Sequence, residues 1–192
     1  WVLDNGLHCG SSNILDPNYV AIGNPDLIEA RKPWAVPCPP GGTLDDYVPF
    51  YFTPFSPMFY NIKTGHAGIR KRRNDEIVIL VSSLHVLEEK KVRFLFTDRH
   101  AYLTAANFYA DLASLDRIDW PRLQQRKFKR DSDDPDRFDR YQAEALVYKH
   151  LPVEALLEVV YYDDSVPTPV REYIAERGLR VAIVTKPEWY FQ

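Results

Sequence analysis

The sequence predicts an α+β fold, in which strands and helices mix without the regular alternation of a parallel α/β protein. Apolar, β-branched stretches that are typical of buried strands alternate irregularly with stretches of helical periodicity. Neither a glycine-rich dinucleotide fingerprint nor a P-loop is present. With 192 residues, 45% hydrophobic and 27% charged, the chain has the size and composition of one globular domain, and we expect residues 1–192 to form it.

The N-terminal quarter is predicted to be rich in loops, with one complete short helix. The opening letters WVLDNG are typical of a helix end, with Gly6 as its left-handed cap. Residues 24–32, NPDLIEARK, predict a helix because Asn24 can cap it and Pro25 suits its first turn. The prolines and glycines of residues 33–43 predict irregular backbone.

The rest of the chain supplies the predicted strands and the longer helices. Four apolar stretches predict strands: 75–82, 92–98, 156–164 and 179–186. Residues 101–115 carry leucine and phenylalanine near helical spacing and predict a helix. Residues 168–178 predict another helix, which ends at Gly178. The basic segment 117–140 is expected to contain helical turns.

Residues 47–60 form an unusual aromatic stretch. They contain seven aromatic rings, three prolines and Met58, which is the only methionine of the chain. A core strand favours alternation and excludes proline, whereas a mobile loop has no use for so many rings. One interpretation is that several of the rings, Phe50 and Phe52 among them, simply belong to the core.

The charge pattern gives no global signal for nucleic acid, because the formal net charge is −3. Two local clusters are basic, at residues 70–73 and 122–130. Such clusters can follow a phosphate backbone, but a solvated face has the same composition. Acidic residues directly after the second cluster can neutralise part of it.

Segments that would target the protein to a membrane or out of the cell are missing from the sequence. No apolar run is long enough to span a bilayer, and no secretory signal is present. Cys9 and Cys38 fit neither a metal-binding spacing nor a disulfide framework. We therefore expect reduced thiols in a cytoplasmic protein. The sequence begins without methionine, so we also expect residues that precede Trp1.

Three residues are candidates for chemistry, and each has a plain structural alternative. His100 follows a predicted buried strand, where catalytic side chains are often presented, but a local cap or a surface group is the alternative. Arg31, at a predicted helix end, can clamp a pyrophosphate or merely offset the helix dipole. Glu144 is placed in a predicted amphipathic helix with apolar neighbours, which would raise its pKa and favour a general base. A surface glutamate is the alternative.

The order of these segments resembles one known family. "IGNPDLIEARK", "GGTLDDYVPFYFTPFSPMFYNIKTGH", "FTDRHAYLTAANFY" and "RYQAEALVYKHLP" together resemble the DarT family of bacterial toxins, which ADP-ribosylate single-stranded DNA. The resemblance extends over nearly the whole chain, and "YVPFYFTPFSPM" is its most specific part. It implies an ADP-ribosyltransferase fold, in which two small antiparallel sheets with flanking helices surround a cleft for NAD.

The resemblance also implies roles for particular residues. Glu144 corresponds to the catalytic glutamate, Arg31 binds NAD and assists catalysis, and His100 is the active-site histidine. Gly23, Asn24 and Tyr51 fall in segments that line the NAD site. The residues expected to contact DNA are two from the aromatic stretch and five basic ones: Met58, Tyr60, Lys127, Lys129, Arg130, Arg137 and Arg140.

Two departures from the family accompany the resemblance. Relatives begin with a strand that contributes to NAD binding, and this strand is missing from the sequence. Relatives often carry arginine where this chain has Phe55, so the resemblance does not carry a charge contact to DNA over to that position. The rings and Met58 would form a wall for nicotinamide and an unstacked base, and no metal is required.

The resemblance further implies that the protein modifies thymidine in single-stranded DNA, acts as a monomer, and is restrained by a macrodomain antitoxin. Two alternatives remain open. A protein-directed ADP-ribosyltransferase or an NAD glycohydrolase would need the same cleft but not the basic segment. A non-catalytic single-strand binding module would need the rings and the basic residues but not Glu144.

Overall fold

The computed structural model describes residues 1–164 and 168–192. The helices are α1 (Val2–Asn5), α2 (Pro25–Arg31), α3 (Pro57–Thr64), α4 (Leu84–Glu89), α5 (Trp120–Gln125), α6 (Arg137–Arg140) and α7 (Thr168–Glu176). The strands are β1 (Leu7–His8), β2 (Tyr47–Tyr51), β3 (Ile79–Val81), β4 (Phe94–Thr97), β5 (Phe108–Tyr109), β6 (Glu144–Tyr148), β7 (His150–Leu151), β8 (Glu158–Tyr161) and β9 (Ala182–Thr185). Short 3-10 turns connect several of them. Among the described residues, no helix combines the length and the apolar character needed to cross a membrane.

Three small sheets organise the chain. The largest has the order β2-β6-β4-β5, and all its neighbouring strands are antiparallel. The second has the order β3-β8-β9, and its β8–β9 pair is parallel. Strands β1 and β7 form a separate antiparallel pair. The predicted α+β class is confirmed, with one parallel strand pair where the family resemblance implied antiparallel sheets throughout.

The register of the largest sheet aligns four residues in one row across it. Tyr51 of β2 pairs with Glu144 of β6, and Thr97 of β4 pairs with Phe108 of β5. The β4–β6 register, with Leu95 opposite Leu146, places Thr97 beside Glu144. The four side chains therefore share one face of the sheet, because cross-strand partners point to the same side.

Strand β6 is buried on both faces. Ala145 and Val147 belong to the main hydrophobic core, whereas Leu146 packs in a second cluster on the opposite face. Residues of two loops, among them Val36 and Ala101, cover this second face. Because side chains alternate along a strand, Glu144 lies on the same face as Leu146 and is covered by the same two loops.

The structure corrects the prediction that Glu144 lies in a helix. Helix α6 ends at Arg140, and Glu144 is the first residue of the central strand β6. Because both faces of β6 are buried, its sequence is a nearly continuous apolar run. Such a run does not distinguish a buried strand from a segment of a buried helix. The carboxylate therefore stands on a rigid strand rather than on a helix surface.

The helix predicted for residues 101–115 is also wrong. Turns fill residues 101–105, and β5 and a 3-10 turn at Leu112–Arg117 follow. Side chains accept from backbone N–H groups of this range: the amide of Tyr102 donates to His100 Nδ1, and the amide of Asn107, which a helix would bond to the Leu103 carbonyl, donates to Asp98 Oδ1. Local side-chain acceptors thus outcompete the helical pattern.

Other predicted elements hold, with shorter bounds. Strands β4, β8 and β9 and helices α2 and α7 lie within their predicted ranges, and α5 and α6 are the helical turns expected in the basic segment. The strand predicted for residues 75–82 is confined to Ile79–Val81 and is only partly buried. Phe50 and Phe52 pack against the main core, as the structural alternative stated. Pro49 is tolerated because β2 is an edge strand.

Candidate active site

Glu144 is held by an ion pair with two bonds. Arg31 Nη1 donates to Oε1 at 2.9 Å and Nη2 donates to Oε2 at 2.6 Å. Only 2% of the Glu144 side chain and 15% of the Arg31 side chain are exposed. A parallel pair of this kind fixes both groups in one plane. Two of the five N–H donors of Arg31 bind Glu144, and the other three form no hydrogen bond with the residues that the structure describes.

Helix α2 determines where Arg31 lies. Asn24 caps its start by accepting from the amides of Asp26 and Leu27, and Pro25 occupies the first turn, as predicted. Arg31 is its last residue. Gly23 and Asn24 therefore lie about 10 Å from Arg31 along the helix, since each helical residue adds about 1.5 Å. No hydrogen bond or ion pair of the described residues joins either of them to Glu144.

The loop after β4 holds Glu144 from the other side. The backbone amide of Ala101 donates to Glu144 Oε1 at 3.0 Å, and the amide of Glu144 donates to Thr97 Oγ1 at 3.2 Å. His100 is 7% exposed, and its Nδ1 lies 3.8 Å from Oε1. Because Nδ1 accepts the amide of Tyr102 at 3.2 Å, the proton of the neutral ring is on Nε2.

The charges of this cluster follow from burial and pairing. Burial alone would raise the pKa of Glu144, but its bonds to Arg31 and the Ala101 amide hold that pKa below its usual value. Burial opposes the charge of Arg31, yet the carboxylate raises its pKa. Burial lowers the pKa of His100. The expectation of a raised pKa for Glu144 is therefore wrong, and the site combines an ionised carboxylate with a neutral imidazole.

Tyr51 completes the cluster on the β2 side. It pairs in register with Glu144, and burial, followed by the nearby carboxylate, raises the pKa of its hydroxyl. The phenol therefore keeps its proton and remains a hydrogen-bond donor. Glu144, Arg31, His100 and Tyr51 are thus brought together from four separate segments of the chain. Among the described residues, no group of histidine, cysteine and acidic side chains is suited to hold a metal ion.

The remaining aromatic candidates lie on α3. Met58 and Tyr60 are each 40% exposed, and both are near the start of this helix. The Tyr60 ring contacts Phe128, with 5.6 Å between ring centroids. Phe55 is buried, and the guanidinium of Arg126 lies 3.6 Å above its ring. Phe55 thus supports an arginine from another segment.

The basic segment divides into paired and unpaired side chains. Arg137 binds Asp131 and the carbonyl of Lys129, and Arg140 binds Asp119 and Asp134. These two arginines stabilise the loop itself. By contrast, in the part of the chain that the structure describes, four exposed cations form no ion pair: Arg126, which lies over the Phe55 ring, and Lys127, Lys129 and Arg130.

Three contributors to the site were missed in the sequence. The Ala101 amide lies in the loop after β4, and the β4–β6 register brings Thr97 Oγ1 beside the Glu144 amide, so local sequence patterns reveal neither contact. Phe128 contacts Tyr60, Tyr141 and Phe191, so it joins the basic segment to α3. A lone phenylalanine between Lys127 and Lys129 was the one signal that the sequence offered for it.

Comparison with known proteins gives one consistent family. The sequence profile described as "ssDNA thymidine ADP-ribosyltransferase, DarT" matches residues 1–191. A DNA ADP-ribosyl transferase of Escherichia coli O127:H6 is 51% identical over 191 residues, covering 100% of this chain and 88% of the relative.

Solved structures agree with the sequence match. Thermus sp. 2.9 DarT in complex with ADP-ribosylated ssDNA superimposes with a TM-score of 0.86 at 32% identity, covering 99% of this chain and 90% of that chain. The same Thermus protein in complex with NAD⁺ superimposes with a TM-score of 0.80, with the same identity and coverage. The fold of this chain therefore matches both solved structures over nearly its whole length.

Proposed function

Because this chain belongs to the DarT family of single-stranded DNA thymidine ADP-ribosyltransferases, we propose that Glu144, Arg31 and His100 form the centre at which it transfers ADP-ribose from NAD to thymidine. The observation that carries this proposal is the buried, two-bond pair between Arg31 and Glu144, at the end of the central strand and next to a buried neutral histidine. Residues 1–192 act together as one catalytic domain.

The reaction breaks the bond between the ribose C1′ and the nicotinamide nitrogen, and the bonding electrons leave with nicotinamide. The ribosyl centre becomes positively charged as this bond lengthens. Glu144 is ionised at neutral pH because its pKa is lowered, so it stabilises that developing charge. Since the carboxylate is already fixed by Arg31 and Ala101, it needs no reorganisation during the reaction.

A ring nitrogen of thymine then forms the new bond to C1′ and must lose its imide proton. Glu144 accepts this proton. A carboxylate with a lowered pKa is a weak base, so the proton moves only as the new bond forms and makes the imide more acidic. Glu144 therefore first stabilises the positive charge of the transition state and then accepts the proton.

Arg31 and His100 support these steps. Arg31 uses its free N–H donors to bind the diphosphate of NAD while its other two donors orient Glu144. His100 donates from Nε2, because its Nδ1 already accepts the Tyr102 amide. A neutral imidazole donor suits an uncharged carbonyl oxygen, and the thymine ring offers one on each side of the imide nitrogen.

The NAD side of the cleft is formed by Tyr51 and by the loop that contains Gly23 and Asn24. Tyr51 lies beside Glu144 and keeps its hydroxyl proton, so it can donate to a ribose or carboxamide oxygen. Gly23 has no side chain to block the approach of a ligand to the backbone ahead of α2. Asn24 uses its side-chain oxygen for the helix cap, which leaves its amide nitrogen for NAD.

The DNA strand follows the side of the molecule where α3 meets the basic segment. Met58 and Tyr60 offer exposed surface for bases, and Phe128 connects them to Lys127, Lys129 and Arg130. These three cations are exposed and unpaired among the described residues, whereas Arg137 and Arg140 contribute by holding the loop. A single strand supplies an unstacked base without the cost of opening a duplex.

The direct test is the intact mass of a single-stranded oligonucleotide with one thymidine after incubation with the protein and NAD. We expect the mass of one ADP-ribose to be added to this strand and not to its duplex or to a strand without thymidine. NAD consumption without modified DNA would instead favour a glycohydrolase or a protein target. Binding of DNA without NAD consumption would favour a non-catalytic module.

An enzyme that marks DNA needs restraint in the cell that makes it. We propose that the protein acts as a toxin in the bacterial cytoplasm, works as a monomer, and is countered by a macrodomain antitoxin that removes ADP-ribose. Co-expression tests this: growth should stop when the chain is expressed alone and resume with the macrodomain. Continued growth without the macrodomain would contradict the toxin role.

A further inference from the structure

An apolar groove lies on the site face of the large sheet, on the side of Glu144 away from Tyr51. It has a volume of about 320 Å³ and runs between the loop of Trp34–Pro37 and the loop of Leu103–Ala106, with Phe108 of β5 between them. Among the described residues that line it, none is charged. The groove therefore offers no charged partner to a phosphate, whereas it offers apolar surface to a flat ring.

The groove is continuous with the active site through both of its walls. The amide of Trp34 donates to the carbonyl of Arg31 at 3.0 Å, and the amide of Leu103 donates to the carbonyl of His100 at 3.0 Å. One wall therefore begins three residues after Arg31, which binds Glu144. The other begins three residues after His100, which faces Glu144. The ring of Trp34 packs on that of Tyr102, with 4.6 Å between centroids, which orients the indole.

The sheet register gives the distance from the reacting centre. Phe108 lies in the same cross-strand row as Glu144, two strands away. Two inter-strand spacings amount to about 10 Å. One or two unstacked nucleotide units span such a distance. On the opposite side of Glu144 the row ends at Tyr51, which the proposed function assigns to NAD.

We propose that this groove is a base-stacking subsite for a nucleotide that flanks the target thymidine. The proposal rests on the proposed function, which supplies the single-stranded DNA. A nucleobase is the flat, apolar and uncharged part of that substrate, and base–aromatic stacking is a common mode of single-strand recognition. The groove thereby helps to determine which sequences around thymidine are modified.

The test combines substrate and protein changes. Each base that flanks the single thymidine of an oligonucleotide is replaced in turn by an abasic site, and kcat/KM is measured. With the unaltered protein, an abasic site at one flanking position should lower kcat/KM about fivefold to a hundredfold, because one base–ring stack is lost. Ala106→Trp fills the groove, so it should lower kcat/KM on the intact strand and abolish the abasic effect.

Ala105→Trp is the matched control, because Ala105 is exposed and does not line the groove. It should behave as the unaltered protein in the whole scan. An equal response to every abasic position, or an abasic effect that persists in Ala106→Trp, would overturn the proposal. A raised KM for NAD in Ala106→Trp would also overturn it, because the groove would then hold the adenine of NAD.

A binding measurement separates this proposal from the proposed function. 2-Aminopurine placed at the sensitive position, or scanned through the flanks, loses fluorescence when it stacks on a ring. Quenching by the unaltered protein and by Ala105→Trp, but not by Ala106→Trp, supports the subsite even if no ADP-ribose is transferred. Equal quenching by all three proteins would refute it, whatever the outcome of the transfer assay.

Discussion

Arg31 and Glu144 bind each other through two hydrogen bonds of 2.9 and 2.6 Å, although 113 positions separate them in the sequence. Helix α2 brings the guanidinium and the central strand β6 brings the carboxylate. Because both groups are largely buried, each depends on the other for its charge. The same pair therefore contributes both to the stability of the cleft and to the proposed reaction.

Removing one partner should therefore destabilise the protein more than removing both charges. Arg31→Ala leaves an unpaired buried carboxylate and should lower the free energy of unfolding by about 3–5 kcal/mol. The double variant Arg31→Ala/Glu144→Gln should recover part of this loss. Urea denaturation of both variants measures the difference. Equal stability of the single and double variants would show that the pair carries no such coupling.

His100 should produce a pH dependence of stability. Burial lowers its pKa in the folded protein below the ordinary 6.5, so the unfolded chain binds the proton more readily. The contribution of His100 to the free energy of unfolding should therefore be complete above pH 6.5 and should decrease as the pH drops below that value. Glu144, with an ordinary pKa of 4.5, adds no comparable slope down to pH 5. Denaturation midpoints between pH 7.5 and 5 should fall less for His100→Gln than for the unaltered protein, and identical slopes would contradict the assignment.

The two classes of basic residue should separate in a salt titration. Lys127→Gln and Lys129→Gln should each reduce the slope of log affinity for single-stranded DNA against log salt by about 0.7 per lost phosphate contact. Arg140→Gln is the control, since Arg140 binds Asp119 and Asp134. It should lower thermal stability and change the salt slope less. A larger slope change for Arg140→Gln would reverse the assignment of the two classes.

Phe191 should be required for the aromatic surface on α3. Its ring contacts those of Phe55, Phe59, Tyr60 and Phe128, with centroids 5.4–6.1 Å apart. Phe191→Ala should lower the free energy of unfolding by about 2–4 kcal/mol. It should also weaken DNA binding, because Phe128 loses a contact that positions the basic segment. Phe191→Leu should retain most of both properties, and full DNA binding by Phe191→Ala would exclude the link.

The sequence predicted the residue types of the site better than their setting. Asn24 and Pro25 predict the start of α2, and the structure confirms this prediction. Such a start is predictable from sequence because a cap acts within a few residues. The setting of Glu144 was predicted wrongly in two respects. Its strand is buried on both faces and so lacks the alternation that identifies strands, and its pKa depends on Arg31 from a distant segment.

The loop after β4 illustrates the same limit. Residues 101–115 have helical spacing, yet the amide of Ala101 donates to Glu144 and that of Asn107 donates to Asp98. The partner of Asn107 lies nine positions away, but that of Ala101 lies 43 positions away. Local patterns therefore predict elements, and the tertiary contacts that form the active site override them where the two compete.

The most direct test of the account is the single-turnover rate of Glu144→Gln on a single-stranded oligonucleotide with one thymidine. The amide keeps the shape of the side chain but not its charge or its capacity to accept the proton. We expect transfer to fall by about 10²–10⁴-fold, with circular dichroism unchanged and affinities for NAD and DNA within a few-fold of normal. Transfer at the unaltered rate by folded Glu144→Gln would contradict the central role of Glu144.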